Sequence, residues 1–147
     1  MNRDILCRVQ PSYEFFDHTA DMGIRVRAAT MAELLMPAAE GLYAAIGELV
    51  AVGNESSVQF EFQGDDPSVL LRDFLTELLI LFERDKRRVV AVADAAFTES
   101  RLTVTAKSAP IDAERSVFHR EVKAITYHEL NIRPIPGGYE ATIIVDI

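Results

Sequence analysis

A single cysteine, Cys7, is all the thiol chemistry the chain carries. It excludes an internal disulfide and a thiolate metal cluster, and it agrees with a reducing compartment. Also missing is any apolar run of the roughly 20 residues that a membrane-spanning helix requires. Stretches such as Leu78-Leu79-Ile80-Leu81-Phe82 are soon interrupted by charge. The opening Met1-Asn2-Arg3-Asp4-Ile5-Leu6-Cys7-Arg8 lacks the continuous apolar core of a secretory signal. A cytoplasmic location without membrane association is therefore expected. Positive charge is scarce, because 15 Lys and Arg against 23 Asp and Glu leave a net charge of -8. Phosphate backbones would be repelled over most of such a surface, so strong direct nucleic-acid binding is not expected. The one run of cations, Lys86-Arg87-Arg88, follows a predicted helix, where it is expected to stabilise the negative end of the dipole rather than bind RNA. No GxGxxG, P-loop, HExxH, GxSxG or paired CxxC occurs. That excludes a nucleotide-binding enzyme of standard design and leaves no recognisable Ser or Cys nucleophile.

What is present is ordinary globular material. A chain of 147 residues that is 49% apolar and 26% charged is expected to form one domain around one core. Tyr13-Glu14-Phe15-Phe16 is a short aromatic run, and Ile24-Arg25-Val26-Arg27-Ala28 alternates with the period of a half-buried strand. Thr30 and Glu33 are spaced as a capping box for a helix with Leu34, Ala38, Leu42 and Ile46 on one face. Pro37 falls inside that pattern and predicts a kink near Glu33. Val58 to Phe62 alternates strictly and is closed by Gly64-Asp65-Asp66. Asp66-Pro67 then opens the strongest helix of the chain, Val69 to Lys86, with a broad face that includes Leu71, Phe74, Leu75 and Leu78. Val89 to Phe97, Leu102 to Ala106, Val122 to Leu130 and Tyr139 to Val145 favour strands, with a turn at Pro136-Gly137-Gly138 and a long loop from Ser108 to Phe118. The expected fold is α+β, two layers, with two main amphipathic helices on one face of a mostly antiparallel sheet.

Three clusters could carry chemistry. In Asp17-His18-Thr19-Ala20-Asp21-Met22-Gly23 two carboxylates flank a strand connection, and if the chain turns there they could converge on a hard cation that prefers oxygen ligands. The plainer reading is an Asx-type turn, which is common. At the chain end, Asp146 stands beside Ile147, placing an acidic side chain next to a terminal carboxylate. A bound cation would relieve that repulsion, and a solvated end is the plainer reading. In Val122 to His128, alternation sends Lys123, Ile125 and Tyr127 to one face and Ala124, Thr126 and His128 to the other, so Lys123 and His128 are not expected to share a site. Surface roles are the commoner outcome for both, although His titrates near neutral pH.

Tyr13-Glu14-Phe15-Phe16-Asp17-His18-Thr19-Ala20-Asp21-Met22-Gly23-Ile24 resembles the amino-terminal signature of the archease family. Leu70 to Leu79 in the long helix, Glu121 to His128, and the closing Val145-Asp146-Ile147 agree in order and spacing, so the resemblance spans residues 13–147 and leaves 1–12 as an amino-terminal extension. It implies a protein that is not itself an enzyme but a cofactor of the RtcB-type RNA ligase of tRNA splicing and RNA repair, promoting guanylylation with GTP and multiple turnover. A chaperone or specificity role towards a tRNA methyltransferase is also linked to the family. The implied metal ligands are Asp17, Asp21, Asp146 and Ile147, the last through a main-chain oxygen or its carboxylate. Calcium is the implied ion, with manganese or magnesium as alternatives. His18, Lys123 and His128 are candidates for contact with the partner. Pro37 departs from the family pattern, in which the first helix runs through. A metal-dependent phosphoester hydrolase built on the same carboxylates and His18, or an interaction module without metal, are the competing readings.

Overall fold

The computed structural model describes residues 8–147, so Cys7 and the first half of the extension lie outside the described residues. The chain folds as β1 (Ser12–His18), β2 (Asp21–Ala28), a short 3-10 turn (Ala32–Leu34), α1 (Leu35–Ile46), β3 (Gly47–Glu48), β4 (Ser56–Gln63) and α2 (Pro67–Asp85). The second half is β5 (Arg87–Phe97), β6 (Arg101–Pro110), β7 (Val117–Phe118), β8 (Ala124–Ile125), β9 (Asn131–Ile135) and β10 (Gly138–Asp146). This is the α+β, mostly antiparallel architecture expected from the sequence, but the sheet is divided. One part has the order β1-β2-β10, with β9 and β8 sharing the far side of β10; the second is β4-β6-β5; the third is the small pair β3-β7.

The helix boundaries follow local chemistry. Asp66 accepts a hydrogen bond from Ser68 N–H (2.9 Å) with Pro67 in the first turn, so α2 starts where the sequence places it. It ends at Lys86, a left-handed cap with φ 53°. The three cations after α2 all reach backbone carbonyls. Lys86 Nζ donates to Glu83 O (2.7 Å), Arg87 Nη2 to Ser108 O (2.9 Å) and Arg88 Nη1 to Leu49 O (3.0 Å). Thr30 Oγ1 accepts from Glu33 N–H (3.1 Å), as the capping box requires, while the Glu33 carboxylate turns outward to Arg8 (2.7 Å). The expected kink at Pro37 does not arise. The α-helix begins only at Leu35, so Pro37 sits in its first turn, where backbone N–H groups have no intrahelical partner in any case.

The core is a sandwich of side chains between the helices and the sheets. Ile24, Val26 and Ala28 of β2 and Ala141, Ile143 and Val145 of β10 are buried against Leu35, Ala38 and Leu42 of α1 and Leu71, Phe74 and Leu78 of α2. Full burial of each large aliphatic or aromatic side chain contributes about 1.5–3 kcal/mol relative to exposure. Phe74 adds an edge-to-face contact on Phe60 at 5.7 Å, tying α2 to β4.

Two other expectations are corrected here. The run Val122 to Leu130 is not one strand; only Ala124–Ile125 pairs, with β10. Thr126 N–H and Oγ1 both donate to Ile144 O (2.9 and 3.0 Å), and Glu129 adopts φ 51°, so the chain leaves the sheet in a turn. Buried Val122 and Ile125 are therefore three apart, and the strict alternation expected of Lys123, Ile125 and Tyr127 is lost. Within the loop expected from Ser108 to Phe118, Ser108 to Pro110 continue β6 and Val117–Phe118 pair with β3. Strand β9 was not among the expected strands. Pro134 is tolerated in β9, whose only partner is β10, since an edge strand can spare a backbone donor.

On the outer face of the larger sheet, Glu140 is buried and accepts hydrogen bonds from Arg27 (2.8 Å) and from Arg133 (3.0 and 2.8 Å), linking β2, β10 and β9. Burial alone would raise its pKa, but the hydrogen bonds from Arg133 and Arg27 outweigh it and hold the carboxylate below its ordinary range. Replacing Glu140 by Gln is expected to cost about 2 kcal/mol at neutral pH, since each arginine loses a charged acceptor. The depressed folded-state pKa puts this contribution above the ordinary glutamate pKa of about 4.3, and it fades as pH falls through the lower folded value. Urea denaturation of both proteins at several pH values checks this; a difference that stays constant into the acid range would refute it.

Candidate functional site

The register of β2 with its two neighbours places the acidic residues. Asp21 is the Cα partner of His18 on β1 and of Asp146 on β10, and Asp146 is in turn the partner of Ala124 on β8. Residues directly opposite in an antiparallel pair share a face and lie about 5 Å apart at Cβ. Asp21 and Asp146 are therefore neighbours at one end of the larger sheet, although 125 positions separate them in the chain, from 146 less 21. Asp17 pairs with Met22 and leaves the strand on the opposite face from Asp21. The two aspartates of the first motif thus do not converge across the sheet face. They meet at its rim, where Asp17, Asp21, Phe16, Met22 and Ile147 line one pocket of about 350 Å³.

The connection that brings β1 round to β2 consists of Thr19 and Ala20 alone, with Ala20 at φ 62°. A left-handed conformation costs an L-residue about 1–2 kcal/mol, which glycine avoids. Ala20→Gly is accordingly expected to raise stability by about 1 kcal/mol, read as a higher urea midpoint at unchanged slope. A lower midpoint would show that the turn is not strained. Behind the turn, Phe16 lies over Gly23, its cross-strand partner, where a Cβ would overlap the ring. Gly23 is thus what lets Phe16 form the pocket wall.

The electrostatics are unbalanced. Among the described residues, the one basic group within 4.0 Å of Asp21 is His18 Nδ1 at 3.7 Å, and the other ring nitrogen of His18 is 3.2 Å from Glu129. His18 Nδ1 is buried without a hydrogen-bond partner. Among the described residues, Asp17 and Asp146 form no ion pair within 4.0 Å. Directly opposed like charges destabilise a strand pair, so Asp21 and Asp146 are held together at a cost. Side chains alone do not complete a cage, because among the described residues no three His, Cys, Asp or Glu are grouped to hold a metal ion. The oxygens near this end are the Asp21 carboxylate with Asp17 and Ile147 on the pocket, and Asp146 as the cross-strand neighbour of Asp21. That set suits a hard cation, with remaining positions left for water or another oxygen ligand.

Lys123 and His128 do not point to a common site with Asp21. Lys123 is exposed and touches the acidic end through its backbone N–H, which donates to Asp146 O (2.7 Å). His128 is exposed in the turn after β8, where its backbone N–H donates to Thr126 Oγ1 (3.1 Å). Sequence reasoning missed Arg120, which lines the acidic pocket and is pinned by donating from its guanidinium to Ala45 O at the end of α1. Its only signal was the charged run His119-Arg120-Glu121 between the expected loop and the expected strand from Val122.

Similarity to known proteins extends over nearly the whole chain. The Archease protein family model matches residues 13–147. The chain belongs to the archease family. The archease of Methanopyrus kandleri is 35% identical over 141 residues, covering 92% of this chain and 99% of that protein. That of Methanosarcina barkeri is 30% identical over 139 residues, covering 92% and 95%. In structure, a Methanobacterium thermoautotrophicum protein solved in solution superposes with a TM-score of 0.72 at 24% identity, covering 92% of this chain and 99% of its own. The crystal structure of a Thermotoga maritima archease, described as a possible chaperone, gives 0.62 at 19% identity, covering 90% and 94%. At these identities the two structures speak for the fold. Among the described residues of this archease, no helix is long and apolar enough to cross a membrane.

Proposed function

We propose that this archease is an accessory protein of an RtcB-type RNA ligase, promoting the ligase's guanylylation with GTP and its repeated turnover. The observation that carries the reading is the cross-strand pairing of Asp21 with Asp146, which assembles a carboxylate site from the two ends of the domain. Asp21 and Asp146 would hold a divalent cation, calcium by family resemblance, with Asp17 and an oxygen of Ile147 beside them. Bound there, such a cation supplies positive charge able to bind a phosphate oxygen. The chain's own residues do the rest. The β2-β10 register positions the carboxylates, Gly23 admits the Phe16 wall, and Arg120 supplies a fixed cation on the same pocket. Coordination positions not filled by the protein would be where that enzyme's nucleotide binds. His18, Lys123 and His128 are the proposed partner contacts.

The test is direct. Added to an RtcB-type ligase with GTP and divalent metal, the protein should raise both the rate of guanylylation and the number of turnovers per ligase. Unchanged turnover with saturating protein would sink the reading. A second reading, a chaperone or specificity factor for a tRNA methyltransferase, draws on the description of the Thermotoga maritima relative and predicts instead a change in methyltransferase solubility or product. Incubation of the protein alone with manganese or magnesium and a panel of phosphoesters separates both from a hydrolase, which alone predicts turnover without a partner.

A further inference from the structure

A second surface lies away from the carboxylates, in a groove of about 510 Å³ between β5 and the amino-terminal part of α1. One wall is made by four consecutive residues, Val92, Ala93, Asp94 and Ala95. Successive side chains of a regular strand point to opposite faces, and with the irregularity between Val92 and Asp94 the four residues border the groove along one side of β5. The topology agrees: in the order β4-β6-β5, strand β5 is terminal, and among the described residues its other side pairs with no strand. The opposite wall carries Met36 and Pro37 with Glu33 and Glu40. Among the described lining residues there are three carboxylates, Glu33, Glu40 and Asp94, and no cation.

An edge with small side chains, an apolar wall and charge of one sign defines what fits. We propose that this groove docks an extended segment of a partner protein, alternating basic and apolar residues, which adds to β5 as a fourth strand. Backbone hydrogen bonds to the edge would supply affinity, with cations meeting Glu33, Glu40 and Asp94 and apolar side chains resting on the Met36 and Pro37 wall. The rim already receives a guanidinium, since Arg8 of the same chain donates to Glu33 at 2.7 Å. A second copy of this chain is disfavoured as occupant, because joining two such grooves would bring acidic rims of the same sign together. Register shifts between Val89 and Ala91 and between Val92 and Asp94 keep the edge from offering a long regular ladder, which restricts the added strand to a few residues. The inference stands independently of the carboxylate site.

The experiment uses the full chain and a fluorescent heptapeptide alternating valine and lysine, followed by anisotropy. Saturable binding is expected, with increased amide-exchange protection at Ala93 and Ala95. The double variant Glu40→Lys, Asp94→Lys, at two exposed positions, is expected to weaken binding about ten-fold, the effect of two ion pairs of somewhat under 1 kcal/mol each. A valine-glutamate peptide should not bind, and N-methylation of the peptide backbone should abolish binding by removing the ladder donors. Absence of saturable binding, equal binding by the double variant, or indifference to N-methylation would each overturn the proposal. Stimulation of an RNA ligase by the double variant is expected to be unchanged.

Discussion

Replacing Asp21 or Asp146 by asparagine is expected to reduce stimulation of an RtcB-type ligase by about 100-fold or more, given that disturbing even the outer partners of metal ligands costs 10–100-fold. The same substitutions are expected to leave the domain at least as stable as before. The two carboxylates face each other across β2 and β10, and His18 Nδ1 at 3.7 Å from Asp21 is the nearest compensation. Asparagine keeps the shape and removes one charge, so the repulsion between facing carboxylates disappears. Loss of function with unchanged or raised stability is the mark of a site kept at the expense of stability. Two measurements together decide it: turnovers per ligase, and the urea midpoint without added metal. A variant that stimulates normally would remove the carboxylate pair from the function, and a variant that unfolds would make it structural. Titration calorimetry with calcium and manganese adds a partner-free readout, in which the asparagine variants should lose the binding heat of the parent.

Above pH 10 the fold is expected to lose up to about 3 kcal/mol through one side chain, Tyr43, from a shift of roughly two pKa units at about 1.4 kcal/mol each. Tyr43 on α1 is fully buried, and its hydroxyl oxygen accepts a hydrogen bond from Val89 N–H of β5 at 2.8 Å. Burial pushes its pKa up from 10.0 to about 12, against the lowering influences of the Val89 hydrogen bond and of Arg88, whose guanidinium lies 4.4 Å over the ring. The sign follows from the raised value. The neutral phenol is the form the folded state prefers, so the contribution is complete below pH 10 and is lost as pH rises from 10 towards 12. Denaturant unfolding between pH 8 and 12 should show the parent falling steeply over that window. Tyr43→Phe should begin about 1–2 kcal/mol lower, because the buried Val89 N–H loses its acceptor. Its decline through the window should be shallower than that of the parent by the tyrosine's share. Parallel curves would show that the fold does not raise the Tyr43 pKa.

Much of this protein was decided locally. Asp66-Pro67 starts α2, Lys86 ends it, Thr30 caps the first turn, and the alternation of Val58 to Phe62 and of Ile24 to Ala28 marks strands, because capping hydrogen bonds and side-chain periodicity act over a few residues. The motif around Asp17 and Asp21 was likewise legible as unusual, and with the chain end it carried the family resemblance. What local reading lacked was long-range pairing. Pro37 was expected to bend a helix that in fact starts two residues earlier, and Val122 to Leu130 looked like a strand until Thr126 turned back onto Ile144. Strand β9 formed despite Pro134 because β10 offered it an edge. The site shows the same division. Sequence spacing joins Asp17 to Asp21, four residues apart, yet strand pleating sends them to opposite faces. The antiparallel register of β2 with β10, which no local pattern encodes, sets Asp21 beside Asp146, while hydrogen bonds to the end of α1 hold Arg120 at the same rim. Residue chemistry was in the sequence; which carboxylates face each other depended on how two distant strands came to pair.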